Sequence, residues 1–252
     1  MFGFSKDFFA MKLGIMQPYF LPYVGYFQLL SAVDKFVIYD NIKYTKRGWI
    51  NRNRMLVSNT DKLFSLSLRK DSNTLDINQR YLSPLYDRVK LLDKFRAAYS
   101  KSPNFASVFS LLTTIVSFEE DNLFSYIYNS ISKICQFLEI GTDLHISSGV
   151  AVDHSLRAED RVIAICKAFG AKEYINPIGG IELYGHEYFL QEGVRLKFLR
   201  SRAREYNQFG SEFVSQLSII DLLMFEDLEK VRECIDQDFD LILPGLLEPK
   251  LY

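Results

Sequence analysis

Three cysteines, three histidines and one tryptophan are all this 252-residue chain has of those residue types. Cys135, Cys166 and Cys234 are far apart and form no C-x-x-C pair, so a disulfide or zinc framework is excluded and reduced thiols are expected. His145, His154 and His186 lack the spacing of metal ligands, and each reads as a structural histidine. No stretch reaches the ~18 apolar residues of a membrane span. Neither sign of charge dominates: 30 basic and 31 acidic side chains leave a net charge of -1, which removes any bulk attraction to nucleic acid or an anionic membrane. The opening MFGFSKDFFA is too short for a signal peptide and is interrupted by Lys6 and Asp7. Residues 1–10 are therefore expected to be an extension, ahead of a soluble, cytoplasmic protein whose strand pattern starts at Met11. No serine-histidine-aspartate set, G-x-S-x-G elbow, P-loop or G-x-G-x-x-G turn is present.

What the chain does have is core material. Apolar residues make up 48% and charged residues 24%, with a mean hydropathy of -0.03, which excludes intrinsic disorder. Aromatics are unusually frequent at 15%, with 21 Phe and 15 Tyr. So many tyrosines also supply hydroxyl-tipped surfaces suited to a polar-ligand cleft.

Residues 12–17 (KLGIMQ) and 35–39 (KFVIY) read as short buried strands joined by a helix over 23–33. That is a βαβ unit, so the sheet is predicted to be parallel. A polar loop over 41–54 precedes a hairpin of 55–57 and 63–68, with its turn at 59–61. Three helices follow over 85–100, 104–116 and 122–138, then a strand at 143–147. A helix over 158–169 stops at Gly170, and a strand at 174–176 runs into the turn Pro177 to Gly180. A helix over 185–192, a strand over 194–199 and one acidic helix over 217–234 complete the pattern. The fold class is α/β: a parallel Rossmann-like sheet built from βαβ units, in one domain over 11–252 with a mostly helical insert at about 85–140.

Open parallel sheets bind ligands beyond the carboxyl ends of their strands. The first strand delivers Gln17 to that edge and the second delivers Asp40, a candidate base that neighbouring cations would weaken. The stretch from Pro22 to Tyr26 (PYVGY) lies where a turn meets a helix N-terminus. Its spacing is similar to the H-x-G-H signature of nucleotidylyltransferases, with Tyr23 and Tyr26 in place of the imidazoles and Gly25 between them. The plainer reading is that Gly25 permits close helix–sheet packing and the two tyrosines are partly core. The next loop carries Lys43, Lys46, Arg47, Arg52 and Arg54 with no acid, and it holds Trp49, Asn51 and Asn53. Arginine forks bind phosphate, an indole stacks on a base or sugar, and asparagines bond hydroxyls. A solvated charge run is the bland alternative, but it would not need the tryptophan. A second basic cluster, Arg195, Lys197, Arg200, Arg202 and Arg204, precedes Tyr206 and Gln208, and reads more as a solvated strand face offset by the C-terminal acids.

Residues 16–30 (MQPYFLPYVGYFQLL), 33–40 (VDKFVIYD) and 47–55 (RGWINRNRM) resemble the opening of the WbqC-like family. The later 174–180 (YINPIGG), Tyr206-Asn207-Gln208 and 217–223 (LSIIDLL) are similar to its C-terminal half, so the resemblance covers about residues 11–235. It implies a bacterial protein of O-antigen or other surface-polysaccharide biosynthesis, and it carries over no catalytic residue. The chain departs from the family pattern after Asp221, where Leu222 to Phe225 runs into acids.

The expectation is a transferase that modifies a nucleotide-activated amino sugar by acyl or aminoacyl transfer. The basic loop would hold the nucleotide, while Gln17, Tyr19 and Asn51 would bond sugar hydroxyls. No cofactor is evident beyond an activated acyl or aminoacyl donor, the partner is a small-molecule nucleotide sugar, and neither nucleic acid nor metal is expected. Two alternatives stay open: a non-catalytic binding or assembly protein of the same pathway, and an ATP-dependent nucleotidyl or ligase-type enzyme.

Overall fold

The computed structural model describes residues 10–202, 204–210 and 212–244. Apart from Ala10, the expected extension lies outside the described residues. Strand β1 (Lys12–Met16) forms where Leu13 and Ile15 turn to one face, and helix α1 (Val24–Ser31) returns the chain to β2 (Lys35–Ile38). The two strands pair in parallel from Leu13 against Lys35 to Met16 against Ile38. Strand β5 (Asp143–Ile146) adds outside β2, and β6 (Glu173–Pro177) adds on the other side of β1. Strand β7 (Arg195–Ser201) extends the parallel run, and β8 (Phe239–Ile242) closes that edge antiparallel to β7. The spatial order is β5-β2-β1-β6-β7-β8.

Both faces of the sheet are covered, as parallel strands require. Helices α5 (Ala158–Phe169) and α6 (His186–Gln191) bury Leu13, Ile15, Val37, Leu196 and Phe198 on one face. Phe36, Ile38, Ile175 and Leu199 face the larger core, shared with α1, α7 (Ile219–Phe225) and α8 (Leu228–Gln237). Helices α2 (Arg88–Tyr99), α3 (Phe105–Val116) and α4 (Leu123–Leu138) join that core as the helical insert. Helix α2 begins later than the apolar spacing suggests, because the Asp87 carboxylate accepts the Lys90 N–H and caps the helix there.

Three further elements differ from the sequence reading. The polar loop ends early: β3 (Arg52–Val57) pairs with β4 (Thr60–Ser65), and the turn is Ser58–Asn59. Both turn residues have positive φ, 49° and 62°, as a tight two-residue hairpin requires. The expected C-terminal helix is two, because Glu226 is extended (ψ 148°) and α8 restarts after Asp227. Strand β8 was not expected, since the acids in and before it conceal the alternation. Asp240 of β8, with Glu233 and Asp238 before it, answers the basic cluster: Arg200 and Arg202 pair with Asp240 at 3.1 and 3.6 Å, and Arg204 pairs with Glu233 and Asp238. Among the described residues, no helix is long and apolar enough to cross a membrane.

Candidate functional site

Strand order reverses at β1, with β2 on one side and β6 on the other, so a crevice opens at their carboxyl ends. A cleft of about 690 Å³ lies there. Its floor is Ile15, Met16 and Gln17 from β1, with Asn176 and Pro177 from β6. Tyr19 and Tyr23 come from the β1–α1 loop, Tyr39 follows β2, and Tyr184 follows the turn at Ile178 to Gly180. Trp49, Asn53 and Arg54 enter from the β2–β3 loop and the hairpin.

These segments are tied together by buried hydrogen bonds. Phe20 N–H donates to the Ile50 carbonyl at 2.9 Å, joining the loop of Tyr19 and Tyr23 to the loop of Trp49. Leu21 is held in the left-handed region (φ 48°), and its carbonyl accepts from Asn53 Nδ2 (2.6 Å) and Ser218 Oγ (2.8 Å). Ser218 N–H in turn donates to the Arg54 carbonyl at 2.9 Å. Strain of this kind persists only where the surroundings over-determine the backbone, which here fixes the aromatic wall against the hairpin.

Trp49 is 38% exposed, and two guanidinium groups stand over its ring, Arg52 at 5.4 Å and Arg54 at 5.1 Å from the ring centroid. Two glycines make room for lining side chains. A Cβ at Gly25 would fall 2.4 Å from the Tyr23 ring, and one at Gly180 would fall 2.1 Å from Asn176 Nδ2. Gly25 thus lets Tyr23 lie across the start of α1.

The tyrosine hydroxyls are not bases. Burial, and then Tyr23, pushes Tyr19 up to about 12. Burial does the same to Tyr39, also about 12, against the opposing pull of Arg161 and Arg157. It raises Tyr23 and Tyr184 as well. The described lining residues include no Asp, Glu, His, Lys or Cys, and Arg54 is the charged one among them. The cleft therefore offers neutral hydrogen-bonding groups, aromatic faces and one cation.

Of the residues expected from sequence, Gln17, Tyr19, Tyr23, Trp49 and Arg54 line the cleft. Others are occupied elsewhere. Tyr26 is 2% exposed and packs on Phe27 and Phe36, so the Tyr23–Tyr26 pair is not presented to a ligand. The Asn51 amide accepts from the Tyr44 hydroxyl and donates to the Leu66 carbonyl, both at 2.8 Å, bracing the loop from within. Arg52 donates to the Gly48 (2.9 Å) and Arg47 carbonyls. Lys46 and Arg47 are exposed and do not line the cleft. Asp40 is buried, and its carboxylate accepts from Asn78 Nδ2, Ser147 Oγ and Ser148 N–H, each at 2.8 Å. It clamps the ends of β2 and β5 and faces no lining group. Tyr206 borders an adjoining chamber of about 240 Å³ that shares Tyr23, Ile178 and Gln216 with the cleft. Its hydroxyl and the Gln208 amide donate to buried Asp221 at 2.6 and 2.5 Å.

Asn53, expected as a hydrogen-bond partner of the ligand, also lines the cleft, whereas sequence reasoning missed Tyr39, Asn176, Tyr184 and Gln216. Asn176 was within reach, since it ends a strand ahead of a proline-glycine turn at the ligand-binding edge. Among the described residues, no group of three or more His, Cys, Asp or Glu is placed to hold a metal ion.

The family model of the WbqC-like protein family matches residues 17–233. Uncharacterized protein Rv1507c of Mycobacterium tuberculosis (strain ATCC 25618 / H37Rv) is 28% identical over 220 residues, spanning 84% of this chain and 92% of that one. No solved structure matches the chain.

Proposed function

The chain belongs to the WbqC-like protein family, and from that premise we propose that it serves bacterial surface-polysaccharide biosynthesis by binding a nucleotide-activated sugar in the cleft where β1 meets β6. One observation carries this reading: neutral amides and hydroxyls converge on a space walled by Trp49 and edged by Arg54. Gln17, Asn176 and the tyrosines match a ligand rich in hydroxyls. Trp49 offers a face for a base or the apolar side of a sugar, and Arg54 a fork for phosphate.

The reaction we favour is acyl or aminoacyl transfer from an activated donor onto an amino sugar. The amine of such a sugar brings its own lone pair, which suits a cleft whose described lining holds no carboxylate, imidazole or thiol. The same lining favours a second reading, a non-catalytic binding or assembly protein of the pathway. Calorimetric titration with a panel of uridine, guanosine, thymidine and cytidine sugar nucleotides tests binding. Mass spectrometry of an amino-sugar nucleotide incubated with protein and acyl or aminoacyl donors then separates the two. A mass gain on the sugar is expected for transfer, binding without it supports the second reading, and no binding by any member of the panel overturns both.

A further inference from the structure

Beside Tyr39, the cleft backs onto a buried cation that no carboxylate among the described residues neutralises. Arg161, in the first turn of α5, is only 5% exposed. Its Nη1 donates to the Asn41 carbonyl at 3.2 Å, and its Nη2 lies 3.4 Å from His154 Nδ1. Its guanidinium stands 4.9 Å from the centroid of the Tyr39 ring. Among the described residues, Nε has no hydrogen-bond partner and no carboxylate pairs with the group. Leaving a charge buried and unpaired is costly, and a ring face returns only part of that cost.

Its surroundings add positive potential. Exposed Arg157 occupies the N-cap position of α5, makes no side-chain cap, and donates through Nη1 to the His154 and Leu156 carbonyls at 3.2 Å each. The helix start is strained, with Ala158 at φ 45°. The two acids of the first turn are engaged by the segment around α6, Glu159 accepting the Gly185 N–H and Asp160 the Tyr188 hydroxyl. Neither arginine is among the residues that line the cleft; Arg161 meets it through Tyr39, a lining residue whose ring centroid stands 4.9 Å from its guanidinium. Among the described residues Arg80 is also buried without a carboxylate, but it stands over Tyr44 with Nη1 on the Ser72 carbonyl, and neither partner lines the cleft.

We propose that Arg161, Arg157 and the N-terminus of α5 form a phosphate subsite at the Tyr39 edge of the cleft, taking one phosphate of the ligand's diphosphate while Arg54 takes the other. The anion chemistry follows from these residues, whereas the ligand's being a nucleotide sugar rests on the function proposed above. The subsite also moves the anion-binding role away from the loop of Lys46, Arg47 and Arg52. An oriented helix N-terminus and a guanidinium fork are both suited to phosphate oxygens.

The test is calorimetry of the full chain with inorganic pyrophosphate at constant ionic strength, with melting curves of each ligand-free variant. Wild type is expected to bind, and Arg161→Gln to weaken binding at least about tenfold, the loss of one charged hydrogen bond or more. Its ligand-free melting temperature is expected to equal or exceed that of wild type, because an unneutralised charge has gone. Arg157→Gln, an exposed position, is expected to weaken pyrophosphate severalfold without touching the fold, so it decides the matter should Arg161→Gln fail to fold. Arg200→Gln, paired to Asp240, is expected to bind as wild type does. Failure of wild type to bind pyrophosphate, or equal binding by wild type and both variants at 157 and 161, overturns the subsite. A nucleotide-sugar titration keeps the two claims apart. Pyrophosphate lost in the arginine variants with no sugar nucleotide ever bound keeps the subsite and sinks the sugar reading; sugar nucleotide bound alike by wild type and Arg161→Gln does the reverse.

Discussion

Removing Arg54 separates what the hairpin does for the fold from what it does for a ligand. Its ion pair with Asp61 is long, Nε to Oδ2 3.4 Å, between side chains 39% and 48% exposed. Such a pair contributes about 0–1 kcal/mol. The contact with the exposed Trp49 ring adds roughly 0.5–1 kcal/mol. Arg54→Ala is thus expected to cost the ligand-free protein about 1 kcal/mol, a fall of roughly 2–4 °C in melting temperature at this chain length. A bound phosphate would lose a charged hydrogen bond worth about 1.5–3 kcal/mol, or roughly 10- to 150-fold in affinity. Arg52→Ala is expected to weaken binding by loosening the loop instead, because its guanidinium is spent on the Gly48 and Arg47 carbonyls. The assay is calorimetry with the tightest sugar nucleotide at two salt concentrations. Raising salt is expected to weaken wild type more than Arg54→Ala, and less difference is expected between wild type and Arg52→Ala. If Arg54→Ala bound no worse than Arg200→Ala, or kept the wild-type salt response, the hairpin would not hold the ligand's charge.

Three other outcomes are expected. Gly180→Ala should displace Asn176, whose Nδ2 would lie 2.1 Å from the new Cβ; overpacking of this kind costs about 1–3 kcal/mol, read as a lower melting temperature with weaker ligand binding. Tyr99→Phe should cost about 1–3 kcal/mol in denaturant unfolding, because Asp221 loses a donor at 2.8 Å and the Leu56 N–H loses its acceptor at 2.9 Å. Tyr19 and Tyr39 stay protonated until about 12, so affinity for a sugar nucleotide without an amine should gain no pH dependence from them between about pH 6 and 9, which calorimetry at both ends of that range checks. Their folded values exceed the unfolded value near 10, so the stability they contribute is complete below about pH 10 and lost as pH rises towards 12, which alkaline melting curves check.

The opening βαβ unit is legible in the sequence because its strands are short apolar runs and Pro18 and Pro22 bound the turn between them. The end of α5 is equally plain, since Gly170 takes the left-handed conformation (φ 68°) that ends the helix. Strand β8 is not legible: Asp240 at its centre reads as solvent-facing until Arg200 of β7 and Arg202 just beyond it pair with that carboxylate. The helical break at Glu226 is hidden for a related reason, because the buried α7 and the amphipathic α8 join without a proline or glycine. At the site, residue type announces hydrogen-bonding capacity but not where it is spent. Asn51, Arg52 and Gln208 carry the chemistry of ligand binding and use it on the protein's own carbonyls and carboxylate. Trp49 is legible because an isolated indole in a basic loop needs a partner, and the structure gives it two guanidinium groups and a cleft.

Trp49 is the chain's single tryptophan and lines the cleft, so intrinsic fluorescence reports on that space without a label. Titrating the full chain with the sugar-nucleotide panel while following this emission is the most direct test of the proposed binding site. A saturable change for at least one sugar nucleotide, matched by calorimetric binding that Trp49→Ala abolishes while its melting temperature stays near that of wild type, is expected. Folded wild-type protein whose emission is unmoved by every member of the panel, or binding that survives intact in a folded Trp49→Ala variant, would contradict it.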